Sequence, residues 1–340
     1  MESLDLIKKI APEIIDIVEK RYLILRAISY NQPIGRRTLS TQLGIKERTI
    51  REEVDVLKGK GLLNVDFVGM YITDEGKKLI IDLNEIYSDL KGIPELEKVL
   101  KNILGIKEVI IVPGNSLEDG MVLKDMGKIT SRLIKSNIKA GDVIGITGGS
   151  TMATVADEAV IDNKSRDITV IPARGGLGKD VNTQSNSIAA KLGQKLGGNY
   201  RLLYVPDGLE EEALEIMLKN EEIKESVDMI NNMDVLVFGI GRADDMAKRR
   251  NLSENRIREL LDHGAVAEAF GHYFDIDGKE LWEYKTIGLS LDKYKTLNNV
   301  VGVAGGEKKA QAIVAISTLN KDMILITDEA AAQQILKIVY

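Results

Sequence analysis

The sequence predicts an α/β protein in which a winged helix-turn-helix precedes a doubly wound, Rossmann-like parallel sheet. Three observations carry this prediction. Residues 1–92 have helical periodicity with one short hairpin, whereas residues 93–340 repeat short apolar strands, glycine-rich turns and helical stretches. Within the first of these stretches, the run Leu39-x3-Leu43-Gly44-Ile45-x4-Ile50-x3-Val54-x2-Leu57 has the spacing of two short helices joined at a tight glycine turn. A chain of 340 residues suits two domains, each long enough for a core of its own.

The opening segment, Leu4 to Tyr30, sets Leu4, Ile7, Ile10, Ile14, Ile17, Leu23 and Leu25 at mixed three- and four-residue spacings, so one or two amphipathic helices are expected. Glu2, Asp5, Lys8, Lys9 and Glu13 break up any apolar leader. No apolar run approaches the roughly 18 residues of a membrane span, so a cytoplasmic location without membrane contact is expected.

In the glycine-turn motif, Leu39 and Leu43 share the inner face of one helix. Ile50, Val54 and Leu57 fall within about 60° of one another on a helical wheel and hold a second helix against it. Arg48, Arg51, Glu52 and Asp55 then point outward. Lys46, Arg48 and Thr49 lie at the amino-terminal end that would enter a major groove, with Arg51 one turn on. Arg36 and Arg37, at the start of the preceding helix, suit phosphate contacts. From Arg21 to Lys60 there are nine Lys and Arg against four Asp and Glu, in a chain whose net charge is -6. This is a basic module on an acidic body, although a solvated helical face accounts equally well for the charge alone. Residues 61–73 then give two short strands around Val68-Gly69-Met70, the dimensions of a wing. Another helix is expected over Lys77–Leu90, ending before Gly92 and Pro94. The linker falls at Lys91–Pro94, which divides the chain into domains 1–92 and 93–340.

Beyond Pro94, strands are expected at Val109–Val112, Val143–Ile146, Ile168–Ile171, Leu202–Val205, Val235–Phe238, Val300–Ala304 and Ile324–Thr327. Four of their turns carry glycine: residues 147–151, 173–178, 239–242 and 304–309. With right-handed crossovers these turns gather at the carboxyl edge of one sheet, where ligands bind in such folds. The turn Thr147-Gly148-Gly149-Ser150-Thr151 opens a helix and has the make-up of a phosphate cradle, offering glycines, free N–H groups and two hydroxyls. It lacks the lysine of a nucleotide loop, and Gly241-Arg242 is too incomplete for a dinucleotide fingerprint, so no nucleotide cofactor is expected. Arg174, Lys248-Arg249-Arg250 and Lys308-Lys309 follow three other strands. Convergent cations of this number suit two phosphates on one small sugar, with Gln184 and Glu268 reading hydroxyls between them.

Without cysteine, disulfides, thiolate nucleophiles and Cys-built metal sites are excluded, and two histidines exclude a His-rich one. No metal is expected. His263 and Glu268, five residues apart, have the residue types for proton transfer on a sugar phosphate. No second acid–base group or nucleophile stands beside them, which favours a helix-end histidine and a hydroxyl-binding glutamate, so no catalytic residue is assigned.

Taken together, the helix-turn-helix, residues 147–151, Pro172-Ala173-Arg174-Gly175-Gly176-Leu177-Gly178, Met246-Ala247-Lys248-Arg249-Arg250-Asn251, Ala267-Glu268-Ala269-Phe270-Gly271 and Val303-Ala304-Gly305-Gly306 closely resemble the SorC/DeoR-type bacterial repressors over nearly the whole chain. The resemblance implies a repressor of a glycolytic operon. Its effector domain would be similar to sugar-phosphate isomerases and deaminases without catalysing, and its inducer would be fructose 1,6-bisphosphate. By motif, the implied effector contacts are Gly148, Gly149, Ser150, Thr151, Arg174 and Gln184 on the helix after it, completed by Arg249, Arg250, Glu268 and Lys309. Ser150 stands where the family has threonine and keeps the hydroxyl. The implied partners are operator DNA and further copies of the chain, as dimers pairing into tetramers. An isomerase-like enzyme with an added N-terminal domain, or a regulator answering to another phosphosugar, remains the alternative.

Overall fold

At Gly44 the backbone turns left-handed (φ 64°), a conformation open to glycine, and its N–H closes the helix Arg36–Leu43 on the Ser40 carbonyl. The chain then enters the helix Glu47–Gly59, whose buried residues are Ile50, Val54 and Leu57. The computed structural model describes residues 9–162, 164–176, 180–205 and 211–340, in two units, Met1–Pro94 and Glu95–Tyr340. Leu4 and Ile7 lie outside the described residues. In the first unit Leu39 and the three apolar residues of the second helix are buried, as are Tyr22, Ile24, Leu25, Ala27 and Ile28 of the helix Pro12–Asn31.

Strands β1 (Leu63–Val65) and β2 (Met70–Ile72) pair antiparallel as the wing. The turn comes earlier than Val68-Gly69-Met70. The Asp66 carboxylate accepts from the N–H groups of Val68 and Gly69 at 2.8 and 3.0 Å, an Asx turn that leaves Met70 in the strand. The helix Asp74–Leu90 starts three residues before Lys77 because Thr73 caps it, accepting from the Gly76 N–H. Only Lys91 and Gly92 separate it from the helix Ile93–Leu104. Pro94, expected in the linker, instead sits in that helix's first turn, where a missing N–H costs nothing.

The second unit contributes β3 (Glu108–Val112), β4 (Val143–Ile146), β5 (Thr169–Pro172), β6 (Asn199–Tyr200), β7 (Val235–Gly239), β8 (Gly241–Arg242), β9 (Ala267–Ala269), β10 (His272–Phe274), β11 (Glu280–Glu283), β12 (Val300–Val303) and β13 (Met323–Asp328). Seven form a parallel sheet in the order β3-β13-β12-β7-β4-β5-β6. Apolar strand residues such as Ile144, Ile146, Val170, Val237 and Ile326 pack with Met126, Val155, Ile188 and Leu192 from flanking helices. This is the parallel sheet covered by helices that the repeating units predict. The winding reverses between β7 and β4, which opens a crevice at their carboxyl ends.

The structure differs from the expected strands in two places. Leu202–Val205 is not a paired strand; β6 is Asn199–Tyr200. Pro172 of β5 has no N–H to extend the ladder on that side, and the Asn186 amide takes over instead, bonding the N–H and carbonyl of Leu203 at 2.9 and 3.1 Å. The second sheet, antiparallel in the order β11-β10-β9-β8, has no counterpart among the expected strands. Its strands are two to four residues long and carry Glu268, His272, Glu280 and Glu283, so they show no clean apolar alternation.

Candidate effector site and nucleic-acid interface

The strands β12, β7, β4 and β5 are neighbours and parallel, so the four glycine-bearing turns leave the sheet at one edge. After β4, the Thr147 hydroxyl accepts from the Gly239 N–H at 3.2 Å and ties this loop to that of β7. A Cβ on Gly148 would lie 2.9 Å from the Thr183 carbonyl oxygen. That glycine therefore serves close packing of backbone behind the loop rather than approach of an anion. The Gly149 N–H is also committed, donating to the Thr183 carbonyl at 2.8 Å. What the loop offers a ligand is the start of the helix Ser150–Glu158. No side chain caps it, so its first-turn N–H groups join the Ser150 and Thr151 hydroxyls as donors.

Arg174, beyond β5, is buried, and its carbonyl accepts from the Ser185 hydroxyl at 3.2 Å. Gln184 caps the start of the helix Ser185–Lys195 rather than lying within it, with its side-chain oxygen beside Gly176. Leu177 and Gly178 of the same turn fall outside the described residues. Arg174 Nη1 reaches Glu268 Oε1 at 3.4 Å, Arg250 Nη2 reaches it at 2.8 Å, and the Gly271 N–H donates to it at 2.7 Å. Burial favours protonation of Glu268, but Arg250, Arg174 and the Gly271 N–H outweigh it and hold the carboxyl below its usual range. Arg250 has 0 % of its side chain exposed and lies against the rings of Tyr273 and Tyr284, 5.8 and 5.0 Å from their centroids. Arg250 and Glu268, expected as direct effector contacts, are thus turned onto each other in a buried network.

Lys309 is half-buried. Burial lowers its pKa, and nearby Arg249 and Arg242 lower it further against Asp245 and Asp328. Arg249 is exposed, so adjacent residues 249 and 250 serve different places: one faces Lys309 electrostatically, the other Glu268. Arg242 is not among the cations expected from the sequence, although it follows β7 as Arg174 follows β5. Tyr273 and Tyr284 give no local signal at all. His263 is an exposed helix cap whose Nδ1 lies 2.6 Å from the Glu259 carbonyl. A cavity of about 310 Å³ lies at the opposite edge, among Lys139, Asp142, Asp234 and Lys293 where β4 and β7 begin, and carries none of these residues.

On the helix Glu47–Gly59, Arg48 and Arg51 are 91 % and 61 % exposed. Lys46 and Arg37 are exposed too, while Arg36 and Thr49 are half-buried. The arginines pair with acids on their own surface: Arg48 with Glu52 at 3.0 Å, Arg51 and Arg37 with Glu47 at 3.8 and 3.7 Å, and Arg36 with Asp55 at 3.6 Å. Exposed pairs of this kind are worth about 0–1 kcal/mol, so phosphates or bases can replace the acids at little cost.

Residues 88–337 match the family model described as "Putative sugar-binding domain", and residues 17–87 match the one described as "CggR N-terminal DNA binding domain". The chain is 39 % identical over 330 residues to the central glycolytic genes regulator of Bacillus subtilis (strain 168), covering 97 % of each chain. The chain belongs to the central glycolytic genes regulator family. It is a transcriptional regulator with a DNA-binding and a sugar-binding domain, not an enzyme. The regulator family's fold recurs in a SorC family transcriptional regulator from Enterococcus faecalis (39 % identity, TM-score 0.67, covering 71 % of this chain and 99 % of that one). It recurs as well in the full-length sorbitol operon regulator SorC from Klebsiella pneumoniae (20 % identity, TM-score 0.65, 94 % and 99 %). Among the described residues no helix is long and apolar enough to cross a membrane.

Proposed function

We propose that the protein represses a glycolytic operon and that a sugar phosphorylated at both ends, fructose 1,6-bisphosphate, relieves the repression. Residues 1–92 form the DNA-binding domain with its linker helix, and residues 93–340 form the effector domain. The observation that carries this reading is the pair of anion-accepting places at one sheet edge. One is the uncapped helix start at Ser150 and Thr151, beside the turn that carries Arg174 of the Arg174–Glu268–Arg250 network. The other is the Lys309, Arg249 and Arg242 group. The ends of β4 and β12 lie two strand spacings apart, roughly 10 Å. A bisphosphorylated hexose spans such a gap; a single phosphate does not. The protein acts as a self-associating dimer or tetramer on a divided operator, in the cytoplasm.

A thermal-shift panel tests the ligand. Fructose 1,6-bisphosphate at ~100 times its Kd is expected to add ~2.7 kcal/mol to stability, with fructose 6-phosphate and deoxyribose 5-phosphate well below it. A pentose phosphate that matches or exceeds the bisphosphate would replace it as inducer.

Two further outcomes follow from Lys309. Lys309→Ala should bind operator normally yet fail to release it with the sugar, as read by gel shift; normal release would remove Lys309 from the site. A bound phosphate dianion also raises the pKa that burial and Arg249 depress in the free protein. Between the free and bound pKa values binding must take up a proton, and affinity must fall as pH rises through the free value. Calorimetry in buffers of different ionisation enthalpy should show that uptake, and Lys309→Ala should lose it.

A further inference from the structure

Strand β13 lies between β3 and β12 in the parallel sheet, so the residue at its carboxyl end stands between the turns that leave its two neighbours. That residue is Asp328, which is fully buried. Its Oδ2 accepts from the N–H of Ser116, in the turn after β3, at 2.8 Å and from the N–H of Gly306, in the turn after β12, at 2.7 Å. Its Oδ1 accepts from the Ala331 N–H at 2.8 Å and caps the helix Glu329–Val339. Burying a carboxylate is costly unless it is bonded, and these three N–H groups supply the bonds. The two turns meet elsewhere as well. Asn115 Nδ2 donates to Glu307 Oε2 at 3.1 Å. A Cβ on Gly305 would lie 2.5 Å from Ser116 Oγ and 2.6 Å from Asp328 Oδ2, so only glycine lets the turns come this close. Lys309 ends the short helical turn Glu307–Lys309, and its N–H closes that turn on the Gly306 carbonyl at 3.0 Å. The turn that carries Lys309 is therefore fastened at its first residue by Asp328.

We propose that Asp328 is a positioning residue of the sugar site: by fastening Gly306 to Ser116 it fixes where Lys309 presents its ammonium, and so sets the affinity for the second phosphate without touching the ligand. The inference rests on the two-phosphate reading above and adds the residue that places one of its cations. The charge of Asp328 acts in the same direction as its bonds. Burial, then Arg249 and Arg242, lower the Lys309 pKa in the free protein, and Asp245 and Asp328 oppose them, keeping the ammonium charged for an arriving anion. The other anion-accepting place, at Ser150 and Thr151 after β4, lies three strand positions from β13 and takes no part in these bonds. A change at Asp328 should therefore separate the two phosphates.

Calorimetry on the full protein tests this with fructose 1,6-bisphosphate, fructose 1-phosphate and fructose 6-phosphate. In Asp328→Ala the bisphosphate should bind about 10- to 150-fold more weakly, the effect of one lost bond to a charged group. One of the two monophosphates, that held at Ser150 and Thr151, should keep its affinity. Asp328→Asn, whose amide oxygen can still accept from Ser116 and Gly306, should recover most of the bisphosphate affinity; lacking the charge, it should move the proton uptake at Lys309 to lower pH. In the Lys309→Ala background, Asp328→Ala should cost no further affinity, because its effect passes through that ammonium. Equal losses for all three sugars, or an undiminished bisphosphate affinity, overturn the proposal and leave the two-phosphate reading standing. Should Asp328→Ala fail to fold, Asn115→Ala unhooks the β3 turn from Glu307 with the buried carboxylate in place. It should show the same selective loss in smaller measure, and no loss there overturns the proposal as well. A parent protein that binds the bisphosphate no more tightly than either monophosphate overturns both readings.

Discussion

Arg250→Ala should cost the protein about 3–5 kcal/mol, because it removes one partner of a buried ion pair and leaves Glu268 enclosed with less compensation. At roughly 2–4 °C per kcal/mol for a unit of this size, the melting temperature should fall by about 6–20 °C. Arg174 at 3.4 Å and the Gly271 N–H remain, so the loss is large without being complete. The pH dependence gives a second check. In the parent protein the folded-state pKa of Glu268 is depressed, so its contribution is present above the ordinary carboxyl value of 4.5 and is lost as pH falls through the folded value. Removing Arg250 takes away the largest of the charges that depress it, so the gap between variant and parent should narrow as the medium is acidified from neutrality to below 4.5. A variant that melts with the parent at neutral pH would mean that the buried trio does not hold this end of the sheet together.

Arg48→Ala and Arg51→Ala are expected to abolish or sharply weaken operator binding while leaving sugar affinity and stability unchanged. Each base-edge contact is worth about 1–3 kcal/mol, so each variant should lose between about fivefold and 150-fold in affinity. Stability is spared because the pairs that these arginines make with Glu52 and Glu47 are exposed and weak. Arg37→Ala serves as a contrast. Without its guanidinium to neutralise a phosphate, binding should weaken for all sequences alike and the salt slope should fall by about one. Unchanged gel shifts for both Arg48 and Arg51 variants would show that another surface reads the DNA.

The parts of the molecule legible in the sequence are those set by local chemistry. Gly44, the burial of Leu39, Ile50, Val54 and Leu57, and the gathering of four strand-end turns all follow from spacing and from the rule of parallel crossovers. The cation cluster is legible there only as a set of residues without places. That Arg249 is exposed near Lys309 while Arg250 is buried against Glu268 depends on where β9 and β10 lie, and those strands are too short and polar to announce themselves. Gly148 is a similar case. A glycine before a helix start is compatible with an anion or with a neighbouring backbone, and only the position of Thr183 decides between them. The wing turn comes early because Asp66 bonds two N–H groups that a glycine-centred turn leaves unassigned.

Ligand and operator must oppose one another through a shared free energy, typically ~1–3 kcal/mol, if the sugar relieves repression. Calorimetric titration of fructose 1,6-bisphosphate into the free protein and into its operator complex measures that energy directly. Heat is expected in both titrations, with sugar binding weaker in the complex by about 5- to 150-fold and operator binding weakened by the same factor when sugar is bound. Operator complexes that persist unchanged at saturating sugar, or a free protein that gives no heat with it, would contradict the role of the sugar as inducer.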